Sequence, residues 1–144
     1  MKRISSILLV ALVLSARADV PEPLPYTEGT VWGLSLVRTK AGFQEDYLRS
    51  LNNTWRKVLD EAKKQKLVLS YRVLATDAVG REDWNLILMI EYRNMAALDG
   101  LDEKMRNLTL PMLGGEDKTR ELMVKRLDVR EIVATKLARE LIFR

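Results

Sequence analysis

Apolar and polar positions alternate with period two through TVWGLSLVRT, residues 30–39. Val31, Gly33, Ser35 and Val37 fall on one face, and Trp32, Leu34 and Leu36 on the other. This pattern predicts a strand with apolar residues on both sides. After Gly42 the period changes. Phe43, Tyr47, Leu48, Leu51, Trp55, Val58, Leu59 and Ala62 recur at spacings of three and four through FQEDYLRSLNNTWRKVLDEAKKQ, which predicts an amphipathic helix of about six turns. Lys63, Lys64 and Lys66 at its end suit the negative end of a helix dipole.

Two further strands are expected in KLVLSYRVLATDAVGREDWNLILMIEYR, around the polar loop Thr76–Asp83. In the first, Leu67, Leu69, Tyr71 and Val73 oppose Val68, Ser70, Arg72 and Leu74. In the second, Trp84, Leu86, Leu88, Ile90 and Tyr92 oppose Asn85, Ile87, Met89, Glu91 and Arg93. Each strand has one apolar face and one mixed face. Asn94 is placed to cap a helix over MAALDGLDEKMRNL, and Pro111 with Gly114–Gly115 is expected to break the chain. A second helix starts on the acids of EDKTRELMVKRLDVRE, and EIVATKLARELIF reads as the last strand.

Strand, helix, strand, strand, helices, strand is the βαββαβ order of a ferredoxin-like α+β fold, a four-stranded antiparallel sheet with helices on one side. The mixed face, with Leu74, Ile87 and Met89, then has no helix to cover it. Two such faces packed together would hide both, so a homodimer is expected.

The chain ends change the charge argument. MKRISSILLVALVLSARAD has the layout of a secretory signal peptide: Lys2 and Arg3, the apolar run Ile7–Leu14, and small Ala16 and Ala18 before a cleavage site after Ala18. The apolar run is far short of the roughly 20 residues that span a bilayer. Export to the periplasm or medium, with no stable membrane insertion after cleavage, is the expectation. Removing residues 1–18 takes three of the 24 basic residues and none of the 20 acids, which leaves a net charge of +1. That is too little basic surplus for a nucleic-acid binder. Residues 19–28, with three prolines in five positions, read as an extended arm, and residues 29–144 as the single ferredoxin-like domain.

The sequence contains no Cys and no His. It therefore offers no imidazole base, no thiolate nucleophile and no zinc site of the usual N/S kind. No metal site and no cofactor are expected. Asp99, Asp102 and Glu103 read as a solvated helix face. If the mixed faces line a shared interior, Ser35, Ser70, Arg72, Asn85 and Glu91 would point into or near it. Arg72 and Glu91 could then bind a carboxylated ligand or act as orienter and base, or simply pair with each other. Trp55 and Trp32 read as core aromatics, whereas Trp84, beside the polar loop, is a candidate ligand contact together with Ser70, Arg72, Asn85 and Glu91.

From about Thr30 to Phe143 the chain resembles the dimeric α/β-barrel superfamily, in which two ferredoxin-like sheets close into one barrel with helices outside. KLVLSYRVLAT and EDWNLILMIEYRNMAALDG are similar to small exported bacterial proteins of unassigned function in that superfamily. Antibiotic-biosynthesis monooxygenases, which work without a bound cofactor, and NIPSNAP-type proteins are more distant likenesses. The resemblance implies a homodimeric barrel; because both faces of each strand are partly apolar and only one has enough helix to cover it, a small apolar or carboxylated molecule is expected between the sheets. The resemblance brings no catalytic signature that can be carried over residue by residue, and the lack of His separates this chain from the haem-binding branch. A cofactor-free oxygenase or isomerase, and a structural or partner-binding exported protein, are the two alternatives.

Overall fold

The computed structural model describes residues 22–80 and 82–144. The signal-peptide segment and the first residues of the proline-rich arm lie outside the described residues. Strand β1 (Tyr26–Thr39) leads into a helical stretch made of α1 (Gln44–Ser50), a π turn (Leu51–Trp55) and α2 (Arg56–Lys64). Strands β2 (Ser70–Ala75) and β3 (Leu86–Tyr92) come next. A short 3₁₀ turn (Met95–Leu98) then precedes α3 (Leu101–Leu113), α4 (Glu116–Val129) and β4 (Arg130–Phe143). The sheet order is β2-β3-β1-β4, and every neighbouring pair is antiparallel. This is the ferredoxin-like arrangement expected from the element order.

The amphipathic helix forms over its expected length with one irregularity. At the π turn the Arg56 N–H bonds the Leu51 carbonyl, one residue further back than an α-helix would. The Thr54 hydroxyl donates to the Ser50 carbonyl at 2.7 Å. The helical stretch ends in a left-handed Lys66 (φ 60°), with Leu67 N–H bonded to the Ala62 carbonyl at 2.9 Å and Lys66 N–H to that of Lys63 at 3.0 Å. That pair of bonds satisfies two carbonyls that a helix end would otherwise leave free.

Two elements differ from their expected bounds. β1 starts at Tyr26, inside the segment read as an arm, because Tyr26, Thr27 and Glu28 pair with Phe143, Ile142 and Leu141 at the end of β4. Pro111 does not break the chain but sits within α3, close to its end. The stop comes from left-handed Gly114 (φ 87°), after which Gly115 N–H bonds the Leu110 carbonyl at 2.7 Å. Asn94 caps as expected, accepting from Ala97 N–H at 3.0 Å, although the element it caps is the 3₁₀ turn.

One side of the sheet is covered by helices. Val37, Leu86 and Leu88 pack with Tyr47 and Leu51 in one buried cluster, and Leu59, Ala62 and Val68 form a second. Half-buried Trp55 touches both and joins them. Each fully buried Leu or Val there contributes about 1.5–3 kcal/mol of transfer free energy. The opposite side, the open face, carries Trp32, Leu34 and Leu36 of β1 beside Ile87, Met89 and Glu91 of β3, as the strand pairing dictates. Ser70, Arg72 and Leu74 of β2 lie alongside them.

Candidate functional site

Strand register brings part of the sequence-derived set together on the open face. Glu91 stands opposite Ser70 on β2 and opposite Trp32 on β1. Its carboxylate accepts from the Ser70 hydroxyl at 2.5 Å and from the Thr30 hydroxyl at 2.9 Å. Thr30 Oγ1 also lies 3.3 Å from Glu140 Oε2. Its single hydrogen therefore serves two carboxylates that converge on it from β3 and β4.

Arg72 does not turn to Glu91. It reaches diagonally over β3 and sets its guanidinium over the Trp32 ring, 5.4 Å from the ring centroid. The mutual ion pair considered from sequence is replaced by a cation–π contact and a hydroxyl-held carboxylate. Arg72 is exposed, so the stacking is worth about 0.5–1 kcal/mol. A stacked guanidinium still presents its edge N–H groups, which can meet a planar oxyanion.

Asn85 and Trp84 stand elsewhere. Six and seven residues before Glu91 on an extended strand, they lie about 20 Å away at roughly 3.4 Å per residue. Asn85 is a structural clip: its amide donates to Thr39 Oγ1 at 2.6 Å and Gln44 Oε1 at 2.7 Å, and it accepts from Thr39 N–H at 2.9 Å. It ties the end of β1 to the start of α1. Trp84 is half-buried ahead of β3, its N–H on the Asp83 carboxylate at 2.9 Å. Ser35 points to the helix side, because it pairs with Leu88 in the row of Val37 and Val31.

There Ser35 lines a cavity of about 300 Å³ with Gly33, Trp55, Tyr92, Thr135 and Leu137. Small residues on β1 open this space. A Cβ at Gly33 would stand 3.1 Å from the Tyr92 ring, closer than packed atoms normally sit. Burial raises the Tyr92 phenol above its ordinary pKa, and Asp102 adds to the effect. Thr30, Trp32 and Glu140 complete the open-face group, yet sequence reasoning missed their roles. Register shifts in the β1–β4 pair, between Glu28 and Val31 and between Leu36 and Val37, decide which β4 side chains reach β1.

Comparison with solved structures agrees with this topology. The chain is similar to HapK from Hahella chejuensis, with a TM-score of 0.52 and 11% identity over 76% of this chain and 91% of that one. It is also similar to a NIPSNAP-family protein of unknown function from Agrobacterium tumefaciens, with a TM-score of 0.50 and 11% identity over 81% and 90% of the two chains. The fold is ferredoxin-like α+β. At such identities the likeness extends to the fold alone. No protein-family model matches the sequence, and no curated protein matches it.

Proposed function

We propose that this chain is an exported homodimeric binding protein whose two open sheet faces close on a small molecule. The single observation that carries the reading is the uncovered face itself. Trp32, Leu34, Ile87 and Met89 sit in the two central strands of the sheet, and among the described residues no helix lies over them. Leu74, at 48% exposure, extends the same surface to the edge. A second copy turned face to face would bury this surface by self-complementarity, as a two-fold interface requires. Along the β2 edge of the interior, Arg72 would meet a carboxylate while the apolar rows receive an apolar body. Glu91, Ser70 and Thr30 would set the polar boundary of that interior. The signal-peptide layout of residues 1–18 supports export.

Native mass spectrometry on the protein purified from an exporting bacterium tests both parts. A dimer mass carrying a small-molecule increment, lost in Arg72→Ala, is the expected result. A dimer with no increment in any host would leave a filled interface and favour the structural alternative. A monomer would refute the pairing of the open faces.

A further inference from the structure

The helix side of the sheet holds another space that the barrel reading does not use. Between α3, α4 and the start of β4 lies a cavity of about 760 Å³. Small-molecule sites typically span about 300–1,000 Å³. Much of the wall is apolar, including Met105, Leu110, Met123, Val124, Leu127 and Ile132. Met123, Val124 and Leu127 are 57%, 54% and 62% exposed, so α4 presents an apolar stripe to this space as well as one to the core. On its inner side the cavity meets a smaller chamber of about 190 Å³ lined by Trp55, Leu59, Leu113 and Leu122. Met105, Met123 and Arg126 line both spaces.

Arginines dominate the charge of the wall. Arg106 is paired with Glu116 at 3.0 Å. Arg126 and Arg130 have no such acid among the described residues. Arg126 donates through Nη2 to the Thr54 hydroxyl, and Arg130 lies over the Tyr47 ring at 5.7 Å. The Nε of each is buried with no hydrogen-bond partner. Burial holds the Arg126 pKa below its ordinary value; Tyr47 opposes that shift and Arg130 reinforces it. Asp102 and Glu116 are the acids on the cavity wall, and Glu116 is already engaged by Arg106. A buried donor left unmade is costly, and more so on a charged group. Arg126 and Arg130 thus line an apolar channel without a carboxylate partner among the described residues, a setting that an anion with its own apolar body would complete.

We infer that this cavity binds a single-chain alkyl carboxylate, with its head on Arg126 and Arg130 and its tail along Met105, Met123 and Leu127. Paired guanidinium forks suit a planar carboxylate, and the two methionines adapt to a flexible chain. The site belongs to one protomer, so it stands whether or not the open faces pair.

The test is calorimetric titration of decanoate into the full chain purified from an exporting bacterium, with decanol and acetate titrated alongside. Decanoate should saturate at one per chain, and decanol, lacking the charge, should bind about tenfold more weakly or worse. Acetate, lacking the tail, should show no saturation. Arg130→Gln should weaken decanoate binding about tenfold. Because Arg130 rests on a buried ring, Leu127→Glu serves as a second variant: its position is exposed, and the new carboxylate would repel the ligand. Equal affinity for decanol and decanoate, or full affinity in both variants, would overturn the inference. So would binding to phosphatidylglycerol vesicles without binding of free decanoate, which would make the stripe on α4 a membrane-facing surface.

Discussion

The indole of Trp55 meets the ring of Tyr71 edge-on, with centroids 5.3 Å apart and planes at 79°, and the Tyr71 hydroxyl donates to Asp60 Oδ1 at 2.6 Å. One residue of β2 is thus held at both ends by the helical stretch that precedes it, through an aromatic contact and a charge-assisted hydrogen bond. Tyr71→Phe keeps the first and removes the second. The expected cost is about 1–2 kcal/mol, read as a fall in the urea midpoint at unchanged slope. Tyr71→Ala should cost distinctly more, since the ring contact goes too; equal losses in the two variants would mean that the ring contributes nothing.

Asn85 sits among three hydrogen bonds that join β1, β3 and α1. Asn85→Ala strands the Thr39 N–H and should destabilise by about 1–3 kcal/mol. Asn85→Asp should cost less, because the Thr39 hydroxyl can donate to the new carboxylate and the Gln44 amide can present its NH₂. Urea unfolding of the two variants side by side checks the order. If both variants also bind ligand normally, the residue acts in folding alone.

Met89 lies near the middle of the open face, opposite Leu34 on β1 and Arg72 on β2. Met89→Glu places a charge where two faces would meet. Sedimentation should show this variant as a monomer with the far-ultraviolet dichroism of the parent, since among the described residues no helix packs on that side. A parent already monomeric, or a variant still dimeric, would place the interface elsewhere.

Stability should respond to pH only at the extremes. Burial raises the phenols of Tyr47, Tyr71 and Tyr92 above the ordinary 10.0, and Asp60 adds to the shift at Tyr71. Groups raised in the folded state contribute stability that is complete below the unfolded pKa and is lost as pH climbs through the folded one. The urea midpoint should therefore fall above pH 10, together with growth of phenolate absorbance. At the acid end, Asp83 is lowered from 3.8 by the N–H groups of Val79 and Trp84, and Glu61 from 4.5 by Lys64. Their contribution is present above those values and disappears as pH drops through the folded ones. With no His in the chain, the midpoint should be level from about pH 6 to 9; a step inside that window would contradict this reading.

Period-two and period-four patterns exposed the sheet and helices because burial on one side enforces them. The facing of Ser70, Arg72, Met89 and Glu91 followed from alternation alone. Pairing between strands did not. Whether Arg72 meets Glu91 or Trp32 depends on side-chain reach across β3, and nothing local to Arg72 records it. The early start of β1 at Tyr26 was hidden because its partners, Leu141–Phe143, lie more than a hundred residues away. Nothing local to Arg126 and Arg130, four positions apart near the end of a helix, sets them apart from other cations in the sequence. Only packing showed that their Nε atoms are buried.

The π turn at Leu51–Trp55 gives the helical stretch one residue more than its two core-facing halves require. A surplus of this kind acts as slack in the chain. Removing exposed Asn52 or Asn53 would let the turn close to ordinary α geometry while Tyr47 on one side, and Leu59 and Ala62 on the other, keep their places. The same deletion at Lys63, within regular helix, would swing the chain beyond it by about 100° and pull Val68 away from its cluster. This fold tolerates shortening at the centre of its longest helical stretch better than near its end.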